Sequence, residues 1–464
     1  MDAYEPEEIA ALTGGEVLNG SSGPVTGVAI DSRHTGKGDL FVAVTTQTND
    51  GHRFVPAAFA KGARAALVSR KQAAEHLRDW DIFTLIAVDD PVQALQAWSR
   101  AHRRKFAIPV VAVTGSNGKT TTKEFAAEAL ASLGPILRTQ GTLNNHLGVP
   151  LTLLEIDKTH RAAVVELGMN HAGEIRMLGR LAEADIGVIT NAGQAHLEFF
   201  PSLDALIDAK WELAETLLGR RLLVLNHDDD GLLVRGKRYA GPVRWFGVES
   251  ECEWRPSEME QGPEGCWRFR VRDVEVNLKI PGRHMMHNAL AALATADALD
   301  VPLAVAVEGI SHTEPQERRM RSLWLNDVLV LDDAYNANPS SMRAALHTLM
   351  ALRPRQDGRR VAVLGGMREL GERSAELHRE VGRFASTLGA FVLTVGDLGA
   401  SIADGAQEAG SQDVFQTRTH DEASAWLAEN LRTGDVVLVK GSRSERMELV
   451  IEALQRQLCE AVSG

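Results

Sequence analysis

Val110-Val-Ala-Val-Thr-Gly-Ser-Asn-Gly-Lys-Thr-Thr121 is the stretch that decides how this chain folds. Four apolar residues after Pro109 predict a buried strand. Gly115 and Gly118 predict a tight turn, and a helix is expected from Thr120 to Leu130. A strand, a glycine-rich turn, Lys-Thr and a helix make a phosphate cradle. The glycines let the backbone come close, and the N–H groups at the positive helix end face an anion. Lys119 is placed to reach the β- and γ-phosphates, and the Thr120 hydroxyl to hold Mg²⁺. The usual spacing, G-x-x-x-x-G-K-[ST], would put a glycine at position 113, where this chain has Val113. A glycine-rich turn with an exposed lysine is the alternative. The strand before and the helix after favour an enzyme that consumes ATP or GTP.

The chain has 464 residues, which predicts about three domains. Its 44% hydrophobic and 24% charged residues are those of a globular protein. A net charge of −12 argues against nucleic acid or an anionic membrane as partner, and requires local cationic pockets for anionic substrates. Cys252, Cys266 and Cys459 are few and scattered, as expected in a reducing cytoplasm, and they exclude a cysteine-rich zinc module. The acidic start, Met1 to Glu8, lacks the apolar core of a signal peptide. No run approaches the ~20 apolar residues of a membrane span. A cytoplasmic protein with no membrane insertion is expected.

Outward from the phosphate loop, short apolar runs at 28–30, 40–44, 65–68 and 85–88 predict a small α/β domain over residues 1–88. A helix from Pro91 to Lys105 leads into the second unit, residues 89–312. There, continuous apolar strands at 162–167, 186–190 and 222–225 predict a mostly parallel sheet buried on both faces. Alternation at Val274, Val276, Leu278 and Ile280 predicts a small antiparallel patch, followed by an Ala-rich helix over Asn288 to Leu299. Runs at 328–331, 361–364, 391–395 and 436–439 predict a second doubly wound, Rossmann-like unit over residues 313–464. The fold class is α/β in three domains, with the nucleotide on the central one.

Several side chains stand at predicted strand ends, where open α/β sheets bind ligands. Glu166, in Val-Val-Glu-Leu-Gly, could hold Mg²⁺ or serve as a helix cap. His196 is a nitrogen-ligand candidate, although a loop histidine is often structural. Asp332 and Asp333 suit ribose hydroxyls or an ordinary Asx turn. Lys440-Gly-Ser-Arg443 offers a cation after the last strand. Lys210, by spacing alone, reads as a surface lysine.

Taken in order, T-G-S-N-G-K-T-T, V-E-L-G, A-H-L-E, A-K-W-E, G-R-H-x-x-x-N-A-L-A-A and a final K-G-S-R resemble the Mur ligases, ATP-dependent amide-forming enzymes of peptidoglycan precursor synthesis. The resemblance spans nearly the whole chain, and the short T-G-x-x-G-K-T loop is the family's own form. It implies nucleotide contacts at Gly115, Ser116, Asn117, Gly118, Lys119, Thr120, Thr121, Asn288 (adenine), Asp333 (ribose) and Arg319 (phosphates). It implies catalytic roles for Lys119, His196 and Lys210, with two Mg²⁺ ions served by Thr120, Glu166, His196 and a carbamylated Lys210. Asn144 and Asn145 would line the site near the acceptor. Asp31-Ser32-Arg33, Gly38 to Ala43 and Asp50-Gly-His52 resemble the family's UDP-binding domain, with Ser32 and Arg33 as contacts.

Asp332 to Pro339 and Gly366-Met-Arg-Glu-Leu-Gly371 resemble the member that joins D-Ala-D-Ala to UDP-MurNAc-tripeptide. The alternatives are the member adding the third amino acid, or a non-catalytic UDP-sugar or nucleotide-binding protein on this fold. A monomer that closes about a hinge during turnover is expected. Three positions depart from the family: Met285 where many relatives have Asn, Arg318 for Gly, and Gly366 for Asp.

Overall fold

The computed structural model describes residues 1–20, 23–193, 197–262 and 264–463, with side chains to residue 457. Its first sheet runs Glu16–Leu18, Leu85–Val88, Ala65–Ser69, Asp39–Val42, Gly27–Ala29, with only the first strand antiparallel. Glu16–Leu18 carries too short a pattern to be read from sequence. A helix at Pro91–Arg103 follows, capped by Asp90, whose carboxylate accepts from the Val92 and Gln93 amides.

That helix fastens the first domain to the second. His102 Nε2 donates to the Ile156 carbonyl at 2.8 Å, which leaves Nδ1 to accept from the Tyr4 hydroxyl at 2.7 Å. Burial pushes the His102 pKa down, so the imidazole is neutral and this tautomer persists.

The central sheet is wholly parallel, in the order Val243–Phe246, Leu222–Asn226, Ile186–Ile189, Val110–Thr114, Ala162–Glu166, Ile136–Arg138. Every residue of Val110–Thr114, Ala162–Glu166 and Leu222–Asn226 is buried, as strands covered by helices on both faces require. Val113 pairs with Glu166, and Thr114 with Ile189. Register alone therefore brings the phosphate loop, Glu166 and the Thr190–Asn191 turn to one edge.

The phosphate-loop helix spans Lys119–Ala129 and packs on a helix at His284–Ala298. The latter begins four residues before the expected Asn288, so Asn288 sits a full turn inside it. The antiparallel patch has three strands, Ser257–Gln261, Trp267–Val271 and Val274–Asn277. The first is too polar to show a strand pattern, and the last stops before Leu278.

In the sheet of the third domain, Arg321–Leu325 and Val328–Asp333 form a hairpin. Its turn residues Asn326 and Asp327 have φ of 45° and 60°, the left-handed pair that short hairpins favour. Val436–Lys440, Arg360–Leu364, Phe391–Val395 and Val414–Thr417 follow in parallel. Asp333 pairs with Lys440, so both stand at the sheet edge that faces the central domain. Among the described residues, no helix is long and apolar enough to cross a membrane.

Candidate functional site

The phosphate loop is held open from below. Gly118 has φ of 79° and starts the helix, and a Cβ there would fall on the Asn288 side-chain oxygen. A Cβ on Gly115 would fall on the Thr190 hydroxyl. Asn191 clamps the peptide of Asn117, accepting from its N–H at 2.9 Å and donating to its carbonyl at 2.9 Å. The Thr190 hydroxyl donates to the same carbonyl at 2.6 Å, and Ser116 Oγ donates to the Gly193 carbonyl at 2.7 Å. Sequence reading passed over Thr190 and Asn191. Their signal was the one that singled out Glu166, a polar group just past a buried parallel strand.

Lys119 Nζ donates to its own loop, to the Gly115 carbonyl at 2.9 Å and the Ser116 carbonyl at 3.3 Å. Burial lowers its pKa; Glu166 opposes this and Arg319 adds to it. Glu166 is buried at its strand end. One oxygen accepts from Asn144 Nδ2 at 2.7 Å, and the other has no partner among the described residues. A buried, half-unsatisfied carboxylate beside a phosphate loop is a receptor for a cation. No group of three or more His, Cys, Asp or Glu among the described residues forms a metal cage. A single carboxylate with the Thr120 hydroxyl suits Mg²⁺, which keeps waters and phosphate oxygens as its other ligands.

Lys210 is a correction to the reading from spacing. It lies on the helix Leu203–Thr216 and is 1% exposed, not a surface lysine. Burial holds its pKa well below the ordinary lysine value and the Lys119 charge lowers it further, while Asp229 pulls the other way. Asp229 itself caps the helix Asp230–Gly236 and accepts from the Ala192 amide at 2.7 Å. His196 lies outside the described residues.

The third domain brings its own groups to the cleft. The Arg319 guanidinium stacks 4.0 Å from the centre of the Tyr335 ring. Lys440 Nζ donates to Asp333 Oδ2 at 2.5 Å and to the Asn336 carbonyl at 2.9 Å. Burial raises the Asp332 pKa to about 6, and its carboxylate accepts from the Ala334 amide. His284, also at the cleft, is pushed down to about 4 by burial.

The departures have local reasons. Arg318 has φ of 59°, which glycine adopts freely, and is held by an ion pair with Glu448 at 3.1 Å. A Cβ on Gly366 would lie 2.6 Å from Leu398 Cβ, so this chain has no room there for aspartate. Met285 Sδ accepts from Asn288 Nδ2 at 3.6 Å, a soft contact within one helix.

Lys119, Thr120, Thr121, Asn144, Glu166, Asn288, Arg319, Asp333 and Lys440 line one cavity of about 1160 Å³ between the central and third domains. Asn145 also lines it, but its side-chain oxygen is taken up by the Leu147 and Gly148 amides, at 3.1 and 2.9 Å. Ser32 and Arg33 stand apart on the first domain, where Arg33 pairs with Asp31 at 2.7 Å.

A phosphate loop and a second cationic wall from a separate doubly wound domain define a nucleotide-dependent ligase architecture. Residues 24–103 match the Mur ligase family catalytic domain, 113–296 the Mur ligase middle domain, and 318–443 the Mur ligase glutamate ligase domain. The chain belongs to the Mur ligase family. It is 35% identical to the UDP-N-acetylmuramoyl-tripeptide–D-alanyl-D-alanine ligase of Escherichia coli, over 97% of each chain. It is 33% identical to the enzyme of the same name from Bacillus subtilis, over 93% of each. A MurF crystal structure from Acinetobacter baumannii superposes with a TM-score of 0.89 at 31% identity, covering 98% of this chain and 99% of the other. The Thermotoga maritima MurF ligase in complex with ADP gives 0.82 at 28% identity, covering 94% and 99%.

Proposed function

We propose that this protein joins D-Ala-D-Ala to UDP-MurNAc-tripeptide with conversion of ATP to ADP and phosphate, forming UDP-MurNAc-pentapeptide for peptidoglycan. The observation that carries this reading is the single cavity lined by the phosphate loop, Glu166, Arg319 and Asp333. Its volume exceeds the ~300–1,000 Å³ of a typical one-ligand pocket, as a site for a nucleotide and a second substrate needs. Full-length likeness to ligases of that name supports the choice of substrates.

The chemical difficulty is that a carboxylate must meet a γ-phosphate although both are anions. Lys119 and Arg319 offset that repulsion, and the helix opening at Lys119 adds its N–H groups. Thr120 and Glu166 would hold Mg²⁺, which supplies further positive charge at the phosphates. The unpartnered Glu166 oxygen fits that role. Lys210 as a carbamate, together with His196, would serve a second ion. Asn288 would meet adenine and Asp333 ribose.

In the reaction a carboxylate oxygen of the tripeptide attacks the γ-phosphorus, and the bond to ADP breaks. The amine of D-Ala-D-Ala then attacks the acyl carbon. It loses a proton, phosphate leaves, and the amide remains. Ser32 and Arg33 would bind the UDP end. A cytoplasmic monomer without nucleic-acid partners accords with the net charge of −12.

Phosphate release from ATP, Mg²⁺ and UDP-MurNAc-tripeptide tests this reading. Release with D-Ala-D-Ala and little with single amino acids is expected. Release with a single amino acid and none with D-Ala-D-Ala would contradict it.

A further inference from the structure

Asn117 stands in the middle of the phosphate loop, and its main chain and side chain answer to different domains. Asn191 and Thr190, both of the central domain, fix its peptide through three hydrogen bonds. Its side chain crosses the cleft instead. Nδ2 donates to Ser340 Oγ at 2.8 Å and to Asn338 Oδ1 at 3.4 Å, and Oδ1 accepts from Asn338 Nδ2 at 2.8 Å.

The far side is equally well anchored. Asn338 is buried and caps the helix Pro339–Ala351, its Oδ1 accepting from the Ser341 amide and the Ser340 hydroxyl, each at 2.9 Å. The segment ending at Asn338 also carries Asp333, bound to Lys440, and Tyr335, under Arg319. A second cross-domain bond, from the Glu198 amide to the Glu369 carbonyl at 3.2 Å, lies apart from the loop.

We propose that Asn117, Asn338 and Ser340 form a closure latch, positioning residues through which the third domain seats on the phosphate loop. Arg319 and Asp333 then reach the cleft only when the loop has the form that Asn191 and Thr190 impose. The latch couples loop conformation to domain position through paired amides, whose modest net strength lets the domains part for substrate entry and product release. This inference rests on the proposed ATP-dependent reaction for its kinetic part and on the geometry alone for its structural part.

The test uses the full chain carrying Asn338→Ser with Ser340→Ala. Serine keeps the helix cap but cannot span to Asn117. The expected result is a nucleotide-free molecule with a larger radius of gyration in small-angle scattering. The thermal midpoint is retained and kcat for phosphate release falls about tenfold. Affinity for ATP in the absence of the other substrates changes less than kcat.

Unchanged compactness overturns the latch, whatever happens to kcat. Unchanged kcat in an expanded molecule overturns its positioning role. If the cap variant loses thermal stability, Asn117→Ser, which leaves the cap intact, is judged by the radius of gyration alone, because Asn117 also faces the nucleotide. Wild-type protein that releases no phosphate would refute the functional reading, and the scattering comparison would still decide the latch.

Discussion

An ammonium at Lys210 would be buried and repelled by Lys119, with Asp229 as its counterweight. The amine is therefore disposed to be neutral, the form that adds to carbon dioxide. A carbamate would replace a costly cation with an anion suited to a metal ion. Lys210→Ala is expected to lower ligase activity on the order of a hundredfold, with partial recovery in a short-chain carboxylate such as acetate. Wild-type activity in that variant would refute the role. At this scale the sequence was uneven. Lys119, Thr120 and Glu166 were legible because a motif or a strand end marked them. The burial of Lys210 was not, because spacing along one helix does not say which helices cover it. Asn145 lines the cavity, with its side-chain oxygen held by the Leu147 and Gly148 amides.

The strand–loop–helix unit at residues 110–129 does its work through backbone geometry. Gly118 needs a left-handed φ and open space, and a methyl group would collide with Asn288, the residue expected to meet adenine. Gly118→Ala should destabilise the fold by about 1–3 kcal/mol and weaken ATP binding more than tenfold. Denaturant unfolding and nucleotide titration of one preparation check both, and unchanged values would contradict the packing argument. Long apolar strands such as Val110–Thr114 and Val436–Lys440 announced themselves because burial on both faces confines their polar residues, Thr114 and Lys440, to the last position. Glu16–Leu18 and Ile136–Arg138 are three-residue edge strands, too short to show a period. Ser257–Gln261 is largely exposed, so its residues carry no apolar pattern.

At the scale of the whole molecule, a chain of net charge −12 gathers anionic substrates by concentrating Lys119, Arg319 and Lys440 around one cavity. Two open sheets present their strand ends to each other, and the cleft between them is where two substrates can be held. The three-part organisation was visible in the alternation of apolar runs with helical sequence. The joining of the parts was not, since Asn117 and Asn338 are 221 residues apart and neither belongs to a periodic pattern. In the proposed reaction this cleft activates a carboxylate by phosphorylation before an amine attacks it. Incubation of the enzyme with ATP, D-Ala-D-Ala and UDP-MurNAc-tripeptide labelled with oxygen-18 in its terminal carboxylate reports that phosphorylation. One labelled oxygen is expected in the phosphate released, and phosphate free of label alongside the formed amide would rule out the acyl phosphate.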